Sequence, residues 1–140
     1  MQRLKTRPQF QAVLAGAIVA RTRHFAMHSI ALNARAAQVQ TAKLADAPVL
    51  FPVQDMWIGA MVPKRWAKRA VTRNAIKRQI YTVSADVAHL YPQAAFVVRL
   101  RRDFSRAEFV SASSGPLKQA VRAEVQVLMQ MPIQPESKTP

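Results

Sequence analysis

Apolar and polar positions recur with two different periods along this chain, and the periods divide it into helices and strands. Phe10, Val13 and Leu14 fall on one helical face behind Thr6-Arg7-Pro8-Gln9. That tetrapeptide has the form of a capping box: the Thr6 hydroxyl and the Gln9 side chain can satisfy orphan amides, and Pro8 is tolerated in a first turn. A helix is predicted over Arg7 to Ala15, ended by Gly16 in the left-handed conformation. From Ile18 to Leu32 the pattern alternates, with His24, Ala26, His28, Ile30 and Leu32 on one side and Phe25, Met27, Ser29 and Ala31 on the other. This predicts a short strand followed by a longer one.

Asn33 to Asp55 holds no period and is long for a hairpin connection, so a mobile loop is expected there. Met56 to Val62 suits a strand, which Pro63 stops by removing a backbone donor. Ile76, Ile80, Val83, Val87 and Leu90 then recur at intervals of four, three, four and three, which predicts an amphipathic helix from about Ala70 to Leu90. Ala94 to Leu100 is a further strand. Ser105 with Glu108 offers a second capping box, and Pro116, Leu117, Val121, Val125 and Leu128 outline a last helix, with Gly115 either dividing two helices or lying in a loop. Pro132, Pro135 and Pro140 mark a flexible tail over 132–140. The order of elements is that of a mixed α/β domain, and 140 residues suit one core, so a single domain is expected over 1–131.

Charge changes the picture more than hydropathy does. The net charge is +14 with a pI near 11.6, an excess that repels itself unless a polyanion neutralises it. No acid precedes Asp46, and none lies between Asp55 and Asp86. Nucleic acid is the leading partner, and an anionic membrane surface is a weaker one. The aliphatic face at Ile76 to Leu90 lacks the interfacial Trp or Phe of a membrane-surface helix, and no stretch approaches the roughly 18 apolar residues of a spanning segment or a signal-like run. The chain has no Cys, which excludes disulfides, thiolate zinc sites and a cysteine nucleophile, and is compatible with a reducing cytoplasm.

The cations concentrate at one place. Lys64, Arg65, Lys68, Arg69, Arg73, Lys77 and Arg78 put seven positive charges into fifteen residues without an acid, across the start of the amphipathic helix. Arg73 and Lys77, like Asn74 and Arg78, are four apart, so their side chains lie together while Ile76, Ile80, Val83 and Val87 point the other way. Guanidinium forks grip phosphate, Lys adds a point charge, and an Asn amide can reach a sugar hydroxyl or base edge. Elsewhere the signals are weaker. His24 and His28 on an extended strand stand too far apart for one zinc ion. Trp57 reads as core, and Trp66 as either core or a stacking surface. Seven scattered acids offer no cluster for a protein-borne nuclease centre.

At Gly59-Ala60-Met61-Val62-Pro63-Lys64-Arg65 and Ala70-Val71-Thr72-Arg73-Asn74-Ala75-Ile76-Lys77-Arg78 the chain resembles the protein component of bacterial ribonuclease P. The signature of that family is a basic pair after a strand, then an Arg-Asn-Arg-x-x-Lys-Arg helix. Arg3-Leu4-Lys5, the Phe10 helix, Arg23-His24-Phe25 and the Ala95 to Leu100 strand with Arg101-Arg102 follow in the family's order, so the resemblance covers roughly 1–34 and 56–128. Ala75 replaces the signature's second Arg, Leu14 and His28 sit where the family often has aromatics, and the insertion at 35–55 is longer than the family leads one to expect.

The resemblance implies an α/β (α+β) sandwich with a mixed four-stranded sheet and three helices in the order αβββαβα, its parallel strands joined by a left-handed βαβ crossover, against the usual hand. It implies that an RNA subunit with bound Mg2+ removes the 5′ leader from precursor tRNA, while the protein aids substrate and metal binding and supplies no catalytic residue or metal ligand. Lys64, Arg65, Lys68, Arg69, Arg73, Asn74, Lys77 and Arg78 would face the RNA subunit. Phe10, Arg23, Phe25 and His28 would meet the leader by base stacking and backbone charge. The implied partners are the RNA subunit and precursor tRNA, with the protein a monomer in a one-protein, one-RNA cytoplasmic complex and no membrane involved. A ribosomal protein or nucleic-acid chaperone would use the same electrostatics, but the spacing from Lys64 to Arg78 favours the ribonuclease P family.

Overall fold

Thr6 opens the first helix as its spacing predicts. In the computed structural model, which describes residues 1–33, 50–104 and 115–133, helix α1 spans Arg7–Leu14, with Ala15 as its C-cap. The Thr6 hydroxyl accepts from the Gln9 amide (3.3 Å), and Gln9 Oε1 accepts from the amides of Thr6 and Lys5. Gly16 does not take the left-handed conformation, since no described residue has positive φ. Its lack of a side chain is steric: a Cβ there would meet the backbone carbonyl of Ser29 on the neighbouring strand. Gly16→Ala is therefore expected to cost about 2 kcal/mol of stability, as overpacking against a backbone that cannot yield does. A denaturation midpoint equal to wild type would show that the junction yields.

The strands are β1 (Gln2–Arg3), β2 (Ala17–Arg21), β3 (Phe25–Ile30), β4 (Trp57–Met61) and β5 (Ala95–Leu100). They form one five-stranded sheet in the order β1-β4-β5-β3-β2. β4 lies parallel to β1 and β5, whereas β3 runs antiparallel to β5 and β2. The sheet is mixed as expected, with one strand more than expected. Gln2–Arg3 is too short to show a period, yet the Gln2 and Leu4 amides donate to Met56 O and Ile58 O at 2.8 and 2.9 Å. Helix α2 (Ala70–Val87) connects the parallel neighbours β4 and β5, and α3 (Gly115–Gln130) follows. Gly115 begins α3.

Each face of the sheet has its own core. Ile76, Ile80 and Val83 of α2 and Leu117, Val121, Val125 and Leu128 of α3 bury against Phe25, Met27, Ile58, Phe96 and Val98. On the other face α1 brings Ala12, Val13 and the half-buried Phe10 and Leu14 onto Trp57, Ala95 and Val97. Full burial of such aliphatic side chains stabilises by about 1.5–3 kcal/mol each. Leu50 and Phe51, expected in a mobile loop, join this second core, where Phe51 meets the Trp57 ring edge-on at 5.5 Å. Leu90, expected on the buried stripe, is 53% exposed because the chain tightens into a 3-10 turn at Ala88–Leu90. The Ser105/Glu108 capping box, most of the 35–55 insertion and nearly all of the tail lie outside the described residues.

Candidate nucleic-acid interface

Pro63 ends β4 and folds the chain back. Its carbonyl accepts from the amides of Trp66 and Ala67, both at 3.1 Å, and Ala67 is buried below. This turn leaves Lys64, Arg65, Lys68 and Arg69 exposed around it. Arg73 closes the turn from above, donating from one guanidinium nitrogen to Ala67 O (3.1 Å) and Lys68 O (2.8 Å). α2 then starts at Ala70 with no side-chain cap and no acid in its first turn. The helix dipole thus adds partial positive charge to the same spot, which favours an anion.

Asn74, Lys77, Arg78 and Tyr81 of α2 line a groove of about 590 Å³ together with Arg3 of β1. Arg3 stacks over the Tyr81 ring at 4.0 Å, and the Tyr81 hydroxyl accepts from the Ala60 amide on the β4 edge at 3.2 Å. The eight residues expected to face an RNA subunit thus occupy one continuous turn-and-helix surface, and Arg3 joins them. Sequence reasoning passed over Arg3 although the Arg3-Leu4-Lys5 alternation, with Leu4 buried, carried the signal.

The four residues expected at a leader site are divided by the sheet. Phe10 lies on the α1 face, packed so closely on Gly59 that a Cβ there would fall 2.6 Å from its ring. His28 is on the same face, in one lateral row with Gly59, Val97 and Ile18. Arg23 is exposed in the β2–β3 connection. Phe25 is on the opposite face, fully buried and 6.0 Å from the Phe104 ring. It offers no surface for stacking on a base and serves as core. Among the tryptophans, Trp57 is core, its indole donating to Val53 O, and Trp66 is half-buried with the Arg65 guanidinium 5.4 Å from its ring.

His24, in the β2–β3 connection, and His28, on β3, do different work. His24 Nδ1 pairs with Glu124 of α3 at 2.7 Å and its ring stacks on Phe104 at 4.0 Å. His28 is 7% exposed, and its Nε2 accepts from Arg99 Nε at 3.3 Å. Burial, and then the positive charge of Arg99, hold the His28 pKa below its ordinary 6.5, while the Leu14 backbone carbonyl pulls the other way without forming a full hydrogen bond to Nδ1. A depressed pKa favours the neutral ring in the fold. Its contribution is present above pH 6.5 and is lost as the pH falls through the lowered value. Unfolding free energy measured in denaturant at successive pH values should decline below about pH 6.5, and His28→Gln should remove that part of the decline. An unchanged profile in the variant would contradict the assignment.

Among the described residues no set of three or more His, Cys, Asp or Glu side chains could hold a metal, and no helix is long and apolar enough to cross a membrane. Fold and surface together define a class: a mixed α/β sandwich with a cationic turn and helix start, acid-free from Lys64 to Arg78, on one side and an arginine-bearing sheet face on the other.

Comparison with known proteins places the chain within that class. The Ribonuclease P family model matches residues 1–123. The ribonuclease P protein component of Trichormus variabilis is 34% identical over 95 residues, 66% of this chain and 66% of the relative. The chain therefore spans just under two thirds of that relative's length. The solved RNase P protein of Staphylococcus aureus has a similar fold, with TM-score 0.61 at 17% identity over 93% of this chain and 94% of that one. The RNase P protein from Thermotoga maritima gives 0.59 at 17% identity over 94% and 96%. This chain belongs to the ribonuclease P protein family.

Proposed function

We propose that this chain is the RNA-binding subunit of a ribonuclease P ribonucleoprotein, in which an RNA subunit cleaves the 5′ leader from precursor tRNA and the protein assists substrate and metal binding. The observation that carries this reading is the surface from Lys64 to Arg78, where seven cations meet no acid in a chain of this family. Its chemistry is neutralisation of phosphates with release of counterions, which makes affinity fall steeply with salt. Asn74, beside Lys77 and Arg78 in the groove, adds a group that reads sugar or base edges.

The donor groups among the described residues do not fit a protein-held magnesium ion, so no step is routed through one on this chain. Magnesium belongs with the RNA subunit in this reading, and the protein contributes charge and position. Phe10 and Arg23 are the leader contacts, without the buried Phe25, and His28, almost wholly buried, supports that face from within. The complex contains one protein and one RNA.

Titration of a ribonuclease P RNA transcript and of an unrelated folded RNA of equal length, each across a salt series, tests the reading. Tighter binding of the ribonuclease P RNA at every salt is expected. Equal affinities with equal slopes would reduce the surface to a general polyanion binder.

A further inference from the structure

On the α1 face of the sheet one lateral row reads Arg21, Ala26, Arg99 and Met61, from β2 through β3 and β5 to β4. Cross-strand partners project to the same side, and one strand between two others sets them about 10 Å apart. Arg21 and Arg99 thus flank a single methyl group, Ala26, at a separation from which two long side chains can converge on one anion. Arg101, two residues further along the chain, and Arg65, beyond β4, bring positive charge toward Arg99 as well. After burial, the charges of Arg101, Arg65 and Arg21 lower the Arg99 pKa. Among the described residues the ion pairs are Met1–Asp55 and His24–Glu124, so none of these four arginines is paired with a carboxylate.

His28 stands beside this row in the next one, almost wholly buried, and takes the Nε–H of Arg99 on its own Nε2. Only an unprotonated Nε2 can accept. The bond fixes the guanidinium through Nε and leaves both of its amino groups for a ligand, and such a fork matches phosphate. We propose that His28 is a positioning residue that holds Arg99 in a phosphate-binding row with Arg21, and that the ligand is a backbone phosphate of single-stranded RNA. The strand's identity as leader rests on the ribonuclease P reading; the anion chemistry does not. Single-stranded RNA fits because the adjoining row carries Ile18, 46% exposed, and lies beneath the half-exposed Phe10 ring. Apolar and aromatic groups beside a phosphate seat gain from unstacked bases, which a duplex withholds.

Binding of a short labelled single-stranded oligoribonucleotide to the whole protein, read by fluorescence anisotropy at pH 7.5, tests the proposal. Arg99→Gln should weaken it about tenfold and His28→Leu about fivefold. The double variant should bind no more weakly than Arg99→Gln alone, because His28 acts only through Arg99. His28→Gln should bind like wild type, since an amide oxygen also accepts from Nε. Arg99→Lys, which keeps the charge and gives up the fork, should fall between wild type and Arg99→Gln. Additive losses, equal loss in His28→Gln and His28→Leu, or wild-type binding by Arg99→Lys would each overturn the proposal. Affinity for the ribonuclease P RNA, carried by the α2 surface, should stay unchanged in every variant. Loss of both affinities together would show that the pair serves only the fold, whereas failure of wild-type protein to prefer that RNA would strike the subunit reading instead.

Discussion

Glu124→Ala is expected to lower the unfolding free energy by about 3 kcal/mol, the largest effect of any single polar substitution considered for this chain. The Glu124 carboxylate accepts from the Thr22 hydroxyl (2.6 Å), the His24 amide (2.6 Å) and His24 Nδ1 (2.7 Å), and so pins α3 to the β2–β3 connection. Its loss strands three donors at a site where the paired side chains are only 13% and 17% exposed. Water reaching that residual surface keeps the cost at the lower end of the range for a broken buried pair. Burial on its own would raise the Glu124 pKa, but the Thr22, His24 backbone and His24 ring hydrogen bonds together bring it below its ordinary 4.5. A depressed carboxylate stabilises above that ordinary value, and the advantage fades as pH falls through the lowered one. Urea unfolding at pH 7 should show a lower midpoint with an unchanged slope, and Glu124→Gln, which keeps acceptor oxygen, should lose about half as much. A loss below about 1 kcal/mol would mean that the three bonds are replaced by water without cost.

Replacing Lys64, Arg65, Lys77 and Arg78 together by Ala should lower RNA affinity by about two to three orders of magnitude near physiological salt. The dependence of log affinity on log salt should flatten by about one unit for each phosphate contact removed. Arg73 differs from these four. Its guanidinium holds the carbonyls of Ala67 and Lys68, so Arg73→Ala would loosen the turn as well as remove a charge. Among the described residues, the four replaced side chains hold no backbone carbonyl in this way; Lys64, Arg65 and Arg78 are exposed, and Lys77 is partly buried in the groove. Salt slopes equal to wild type would reduce the helix to a solvated face.

How far the sequence carries the fold depends on how local the determinants are. The Thr6–Gln9 capping box and the α2 stripe were legible because each is complete within a few turns of chain. β1 was not, since two residues have no period and the strand exists only through its pairing with Met56 to Ile58. Leu50 and Phe51 were hidden in a segment without periodicity, and the bond from Gln9 Nε2 to Leu50 O spans 41 positions. The site divides in the same way. The basic helix stood out as consecutive charges. The proposed leader face did not, because its members come from different strands: Arg99 sits inside an apolar run and meets His28 from 71 positions away. Alternation had already set Phe25 and His28 on opposite sides of β3. Assigning both to one cleft followed the family pattern over the pleat, and the pleat prevailed.

The measurement that bears most directly on the central claim is removal of the 5′ leader from precursor tRNA by a bacterial ribonuclease P RNA, at magnesium low enough that the RNA alone is slow. Adding this protein should restore fast cleavage at the mature 5′ end, and the fourfold Ala variant should need far more protein for the same rate. Absence of stimulation by folded wild-type protein, or full stimulation by the fourfold variant, would contradict the account.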